Sequence, residues 1–168
     1  QDQAIYMQAW REVEKARNHH ARQEYGLAMD HFERAADIHK SLKQWSYLAP
    51  NYSAWVQLEN AEELSRKEQS EEAAKAFEEA AKLFVQTKES IQKELGKIQD
   101  SYEKAMGTDL VKASDLRREY CKGRIALEEA RILDKKADHS SSSEKYGSAA
   151  ESFEHLAKTL KPDHDKKE

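Results

Sequence analysis

The sequence has few of the residues that interrupt helices or cross-link loops: five Gly, two Pro and one Cys in 168 residues. The single cysteine, Cys121, excludes an internal disulfide framework and is typical of a reducing compartment, so we expect a cytoplasmic protein. No apolar run approaches the roughly 20 residues of a membrane span, and we identify no secretory signal. Because the chain does not begin with Met, we interpret it as a piece of a longer protein or a processed product.

An excess of charge of one sign is also absent. The formal net charge is −4, and residues 46–106 account for it with 12 acidic and 8 basic side chains, whereas acids and bases balance on either side. Nucleic-acid binding requires a basic field, and this sequence has none. We therefore expect neither a nucleic-acid partner nor direct insertion into a membrane.

What the sequence does have is a helix-forming composition in a repeating pattern. Charged residues make up 36% of the chain, and Ala, Glu, Lys, Leu and Arg dominate, as they do in long helices. Residues 10–42 and 55–87 align without a gap at an offset of 45, and the second half of 124–160 aligns with both, which indicates an internal repeat. The aligned positions are Trp10 with Trp55, Ala16 with Ala61, Ala28 with Ala73 and Ala149, and Phe32 with Phe77 and Phe153.

Each copy has the apolar spacing of two helices, which predicts an all-α fold of about six antiparallel helices. The fourth helix is predicted to run from about 70 to 106, because its apolar residues recur every 3.5 residues as in a coiled-coil seam. Gly107 is predicted to end that helix, and Thr108 or Asp109 to begin helix five. The seam consists of Phe77, Ala81, Phe84, Lys88, Ile91, Leu95, Ile98, Tyr102 and Ala105.

A turn this short would make helices four and five antiparallel, so Ile98 and Tyr102 should face Leu110 to Leu116. The run Ser140 to Ser143 is predicted to break the pattern and cap helix six. Three glycines fall inside predicted helices, where each costs up to about 1 kcal/mol, and we expect them to mark close helix contacts. They are Gly26, Gly123 and Gly147.

The pattern Trp..Leu..Ala followed by Tyr..Ala…Phe..Ala resembles tetratricopeptide repeats, and the long, irregular helix pairs are similar to the soluble NSF attachment protein branch of that family. The resemblance implies three helical hairpins, at about 2–44, 47–106 and 108–160, which stack as a short right-handed solenoid in one domain over residues 1–160. It also implies a concave face that binds partners. Residues 161–168 are expected to be a charged, flexible tail.

The sequence departs from that family in two ways. The usual repeat of about 34 residues is replaced by spacings of 45 and 76 between the aligned aromatics. The proline that ends each usual unit is missing, and Lys40 and Val85 stand in its place. A plain helical bundle of three degenerate hairpins therefore remains an alternative.

Candidate metal ligands and nucleophiles are present without a recognisable pattern. Three histidines of the first copy could meet Glu24 or Asp30 around a zinc ion, but we favour solvated surface histidines, because no pair has ligand spacing. Cys121 has no assignable histidine partner and is predicted to be a packing or partly exposed thiol rather than a nucleophile. We therefore assign no catalytic residue, no metal and no cofactor, and do not expect an enzyme. The histidines in question are His19, His20, His31 and His39.

Helix five carries a group of basic residues. If this helix lines the concave face, Arg117, Lys122 and Arg124 would bind a partner, since the grooves of the resembled family often hold acidic or C-terminal peptides. The alternative, which we favour, is a solvated face paired with neighbouring acids such as Glu128. The wider group is Arg117, Arg118, Lys122, Arg124, Arg131, Lys135 and Lys136.

Two further sets of residues have a structural interpretation. Trp10 and Trp55 align between copies, so core packing is expected rather than ligand stacking. The acidic residues between 59 and 79 are interpreted as a solubilising band. The band consists of Glu59, Glu62, Glu63, Glu68, Glu71, Glu72, Glu78 and Glu79.

Three functions follow as hypotheses. The first is a non-catalytic scaffold or adaptor that binds a protein or peptide partner on the helical-repeat surface. The second is a self-associating structural protein, a homo-oligomer in which the seam of helix four pairs between chains. The third is a metal-binding helical bundle.

Overall fold

The computed structural model describes residues 1–160, so the predicted flexible tail at 161–168 lies outside the described residues. The described chain is all-α, as predicted, and has six α-helices and one short 3₁₀ turn. In chain order they are α1 (Asp2–Ala21), α2 (Tyr25–Ser41), the 3₁₀ turn (Ser46–Leu48), α3 (Ala49–Arg66), α4 (Ser70–Leu95), α5 (Ser101–Lys135) and α6 (His139–Leu160).

Three of the connections share one turn geometry. Between α1 and α2, α3 and α4, and α5 and α6, a single non-glycine residue adopts a left-handed conformation with φ near 60°. The amide that follows this residue donates to a carbonyl five positions earlier, which closes the helix end as in a Schellman motif. The left-handed residues are Gln23, Glu68 and Ala137. The recurrence at the level of the backbone parallels the repeat in the sequence.

Each helix packs against the next one along the chain, and α3 also contacts α5. Contacts between neighbours run in opposite directions: Glu12 and Tyr6 of α1 meet His31 and His39 of α2, respectively. Contacts between α3 and α5 run in the same direction, because the later residues of α3 meet the later residues of α5. Consecutive helices are therefore antiparallel, and alternate helices α3 and α5 are parallel.

The repeat positions form much of the apolar interior. Small residues let the helices approach closely, and the aromatic four positions later fills the space beside them. Their exposed fractions are 0% for Ala16, Ala28, Ala61, Ala73 and Phe77, and 2% for Phe32 and Ala149, whereas Phe153 is half-buried.

The prediction for the end of helix four is wrong. α4 ends at Leu95, the chain leaves the helix at residues 96–100, and α5 begins at Ser101. The reason is a local cap: the Asp100 side chain accepts a hydrogen bond of 2.7 Å from the backbone N–H of Glu103, three residues on. Gly107 lies inside α5 and does not end helix four as predicted. Its missing side chain lets α5 approach the side chain of Leu95, 3.0 Å from the position a Cβ would take.

Two further predictions are also wrong. Tyr102 belongs to α5 and is 79% exposed, so it does not face residues 110–116 of its own helix. The serines at 140–143 lie within the first turns of α6, and the helix is capped instead by Asp138, which accepts from the Ser141 N–H at 3.2 Å. The first error comes from reading the 3.5-residue period as one continuous helix, and the second from placing the cap of α6 at the serines and not at Asp138.

The regular apolar seam of α4 is nevertheless real, and it lies inside the single chain. Phe77, Phe84 and Ile91 are at most 1% exposed. α4 packs between α3 and α5, and Lys88 on the same helix binds Asp115 of α5 at 2.9 Å. The seam side chains that the self-association hypothesis would pair between copies therefore pack within one copy.

Of the three glycines expected at close contacts, only one has that role. A Cβ on Gly123 would lie 2.9 Å from the Phe153 ring and 3.2 Å from Cβ of Ser152, so the missing side chain sets the distance between α5 and α6. A Cβ on Gly26 or Gly147 would meet nothing within 4 Å. These two positions carry the conformational cost of glycine without a packing benefit.

We predict opposite effects for two Gly→Ala substitutions. Gly147→Ala should raise the free energy of unfolding by about 0.5–1 kcal/mol, because it lowers the entropy of the unfolded chain at an open site. Gly123→Ala should lower it by about 1 kcal/mol, because overpacking against Phe153 outweighs the helix propensity gained. Urea unfolding of both variants measures this, and equal gains would show that α5 and α6 are not in tight contact at this position.

Candidate functional site

A concave feature with aromatic walls lies between α1, α3 and α5. It is a cavity of about 480 Å³, which is within the range of about 300–1,000 Å³ that ligand sites occupy. The α1 wall carries Trp10 and Arg17, the α3 wall carries Trp55, and the α5 wall carries Arg117. The remaining lining residues are Val13, His20, Phe32, Leu48, Asn51, Tyr52, Met106, Asp109, Leu110 and Ala113.

Aromatic side chains give the cavity rigid apolar walls. The rings of Trp55 and Phe32 stack with centroids 5.2 Å apart and an interplanar angle of 17°. Trp10 packs edge-on against Tyr6 at 6.2 Å. Both tryptophans are half-buried, because one part of each ring packs on the interior and another part lines the cavity. The two tryptophans therefore pack in the core, as expected from the alignment, and also present part of their surface to the cavity.

Arg117 is a largely buried charged group in the cavity that has no acidic partner within residues 1–160. Its guanidinium lies 4.8 Å from the centroid of the Trp55 ring, and its hydrogen-bond partner is the side-chain oxygen of Asn51 at 3.3 Å. Burial, followed by repulsion from Arg17, lowers the pKa of Arg117 to about 10, which leaves it charged at neutral pH. Within residues 1–160 no carboxylate forms an ion pair with it, so its charge is uncompensated by a direct partner.

Arg124, one of the three predicted partner-binding residues, lies in the interior instead. Its guanidinium donates to both carboxylate oxygens of Glu62, at 3.1 and 2.8 Å, and to Glu128 at 3.3 Å. It also lies 4.7 Å from the centroid of the Phe77 ring. Its side chain is 14% exposed, and that of Glu128 is fully buried. The contacts of Arg124 therefore join α3 to α5.

The three predicted residues consequently do not share a surface. Arg117 and Arg124 are seven residues apart, almost two full helical turns, so both face α3. Lys122 is two residues before Arg124 and points away from it by about 160°. It is exposed and forms an ion pair with Glu119 at 3.4 Å. Of the three, only Arg117 lines the cavity, and the expected pairing of Arg124 with Glu128 is present.

The expectation that the acidic band serves solubility is wrong for two of its members. Glu59 is 0% exposed and Glu62 is 9% exposed. Tyr120 donates to Glu62 at 2.6 Å in addition to Arg124, and the partner of Glu59 is His20, at 2.5 Å between Nδ1 and Oε1. A signal was available in the sequence, because Glu59 and Glu62 lie on the apolar side of α3 next to Leu58 and Ala61.

The other histidines of the first copy have different partners and do not converge on one point. His31 bonds to Glu12 at 2.6 Å and stacks on His19, whereas His39 is buried and donates from Nδ1 to the Ala35 carbonyl. Among residues 1–160 no group of three or more His, Cys, Asp or Glu side chains is arranged to hold a metal ion. Cys121 is fully buried, which is the packing alternative of the two that the sequence left open, and burial raises the pKa of its thiol to about 12.

Comparison with known proteins adds no relative from which a function could be transferred. No family model matches the chain, and no curated protein and no solved structure is significantly similar to it. In the part of the chain that the structure describes, no helix is both long and apolar enough to cross a membrane. The cavity must therefore be interpreted from its own chemistry.

The different positions of Arg124 and Lys122 predict different costs of substitution. Arg124→Ala should destabilise the protein by about 3–5 kcal/mol, because it leaves Glu62 buried without its cation and leaves Glu128 with Arg131 alone. Lys122→Ala, the matched control two residues away, should change stability by less than about 0.5 kcal/mol. Chemical denaturation monitored by circular dichroism compares the two, and a small effect of Arg124→Ala would contradict its structural role.

The His20–Glu59 pair predicts a pH dependence of stability. The hydrogen bond to Glu59 raises the pKa of His20, and burial raises the pKa of Glu59. Both groups bind protons more tightly in the folded than in the unfolded chain. Their stabilisation is therefore complete below the ordinary pKa of each group, about 6.5 for histidine, and is lost as the pH rises through the folded value.

We expect the free energy of unfolding to decrease as the pH rises above about 6.5, and to decrease less in Glu59→Gln. Urea unfolding at a series of pH values measures both slopes. His39 does not confound this window, because burial lowers its pKa and its destabilising protonation occurs below the ordinary value. Identical slopes in the two proteins would show that the pair does not hold the proton.

Proposed function

We propose that this protein is a non-catalytic scaffold of tetratricopeptide type, a short right-handed solenoid of three helical hairpins, which binds an acidic segment of a partner protein in the α1/α3/α5 cavity. The repeated turn geometry and the repeated Ala and aromatic positions support the repeat architecture. The single buried thiol is compatible with the reducing cytoplasm in which we expect the protein to act.

The observation that carries this proposal is the uncompensated charge of Arg117 in an aromatic cavity. Taking a guanidinium out of water costs free energy unless a partner replaces the water. The partner that Arg117 has within the described residues is a neutral amide oxygen of Asn51, which is a weaker acceptor than a carboxylate. A bound acidic group would supply the missing ion pair. The guanidinium of Arg117 is therefore more stable with an anion in the cavity than without one.

The rest of the cavity favours a polypeptide over an isolated ion. Trp10, Tyr52 and Trp55 offer apolar surface on either side of the charged group. Half-buried aromatic and arginine side chains are the residue types that dominate binding energy at protein interfaces. A volume of about 480 Å³ accommodates more than one side chain. A short segment with an acidic residue between apolar ones matches these features.

We predict that a random peptide library displayed on phage, selected against the protein, enriches acidic residues flanked by apolar residues. The selected peptides should bind Arg117→Glu about tenfold or more weakly, because the substitution replaces attraction with repulsion at the centre of the site. Fluorescence anisotropy with the same labelled peptides gives the affinities.

Lys122→Glu is the matched control, since it makes the same change of charge on the same helix outside the cavity. It should bind the selected peptides as tightly as the unchanged protein. Enrichment of peptides without acidic residues, or equal binding to both variants, would remove Arg117 and this cavity from the binding site. Circular dichroism of both variants confirms that any loss of affinity is not a loss of the fold.

A further inference from the structure

Besides Arg17 and Arg117, the cavity contains a third basic side chain, and the charge of this one depends on the pH. His20 lies in the last turn of α1 and lines the cavity, with 43% of its side chain exposed. Its Nδ1 bonds to Oε1 of Glu59, a carboxylate of α3 that is fully buried. The other oxygen of Glu59 is also buried and has no hydrogen-bond partner within residues 1–160. His20 is thus the direct link between an interior carboxylate and the cavity.

This arrangement favours the presence of one proton on the pair. An ionised carboxylate buried without a cation is strongly unfavourable, so Glu59 is either protonated or paired with a protonated imidazole. The last turn of a helix also favours a cation, because the carbonyl ends of the helix dipoles point toward it. Both effects stabilise the protonated pair over the pair that has lost its proton.

The net charge of the cavity, and so its attraction for an anion, depends on whether the His20–Glu59 pair holds a proton. The charged groups that line the cavity with His20 are Arg17 on its own helix and Asp109 and Arg117 on α5. Tyr25 of α2 packs against its ring, and Glu62 of α3 acts on it electrostatically. Glu62 is neutralised by Arg124. When the His20–Glu59 pair holds its proton, the pair as a unit is neutral. The net charge of the cavity is then one positive charge, because Arg17 and Arg117 outnumber Asp109 by one. When the pair loses its proton, that excess disappears.

We propose that the His20–Glu59 pair couples carboxylate binding in this cavity to the uptake of a proton, so that the protein binds its acidic segment more tightly as the pH falls through the neutral range. In this role Glu59 is a positioning residue: it holds the proton on His20 and orients the ring without contacting the ligand. The inference rests on the proposed function, since it assumes that an acidic segment enters the cavity.

The chemistry of the site favours a single carboxylate over a phosphate. The excess of one positive charge balances a monoanion, whereas a phosphomonoester carries close to two negative charges at neutral pH. The carboxylate of an internal Glu residue can enter between the two arginines while its neighbours lie on the tryptophans. We therefore commit to an internal acidic residue with an apolar residue on each side.

The test uses four acetylated and amidated pentapeptides, Ala-X-Glu-X-Ala with Leu or Phe at each X, and their four Gln counterparts. Affinities are measured from intrinsic tryptophan fluorescence between about pH 5.5 and pH 9, where histidine titrates. The Glu peptides should bind about fivefold more tightly at the acidic end, and the Gln peptides should bind more weakly with no such dependence. Binding must in turn raise the pKa of His20, because the coupling is reciprocal, and imidazole resonances in the NMR spectrum measure this.

Glu59→Gln should move the midpoint of the pH dependence to a lower pH, because His20 loses the carboxylate that holds its proton. Glu12→Gln is the matched control: it breaks the comparable pair between Glu12 and His31, which lies outside the cavity, and should leave the midpoint unchanged. If Glu59→Gln does not fold, the shift of the His20 resonances on peptide binding to the unchanged protein still decides the question.

The outcomes separate this inference from the proposed function. Failure of all the peptides to bind at every pH would overturn both. Binding of the Glu peptides with the same affinity across the pH range, or with no change in the pKa of His20, would overturn the proton coupling and leave the binding function standing. Equal binding of the Gln peptides would show that the cavity does not select a carboxylate.

Discussion

The arrangement of α3 against α5 depends on one buried guanidinium, that of Arg124. Its bond to Glu62 joins α5 to α3, two helices whose backbones approach each other closely at few positions, and its bond to Glu128 lies within α5. Most consecutive helices, by contrast, are joined through alanines and aromatic side chains in the interior. Because an ion pair has a defined geometry, it fixes the register of two parallel helices that apolar packing alone would leave free to slide. That register also decides where Arg117 points.

Three arginines occupy equivalent positions on α5, but the register of α5 against α3 gives them different neighbours. Arg117, Arg124 and Arg131 lie seven residues apart on one side of the helix, so all three point toward the same neighbour. Arg124 and Arg131 meet Glu128, and Arg124 also meets Glu62. Arg117, two turns earlier, lies opposite the first turns of α3, where Asn51 and Trp55 replace acidic residues. A cavity with an uncompensated cation forms where the acids of α3 end.

The sequence predicts the class of fold, the number of helices and the repeated interior positions, because these depend on local periodicity. It does not predict the break at residues 96–100, since the apolar period continues through it and only the cap formed by Asp100 shows where α5 begins. The site is predicted in part. Arg117 was among the candidates, but the difference between Arg117 and Arg124 depends on which α3 residue each one meets. The burial of Glu59 depends likewise on contacts between helices.

The buried carboxylates of α3 and α5 make specific contacts that the composition does not reveal. Among residues 1–160 three glutamates are buried, and each is paired with a cation. The pairs are Glu59 with His20 of α1, Glu62 with Arg124 of α5, and Glu128 with Arg124 and Arg131 of its own helix. Buried charges are weak evidence for stability, because desolvation offsets much of the attraction, but they restrict which neighbours a helix can accept. Glu62 has a permanent cation, Arg124, and this contact holds the structure. The cation of Glu59 is a histidine at the edge of a cavity, so the same type of contact there can respond to a proton and to an anion.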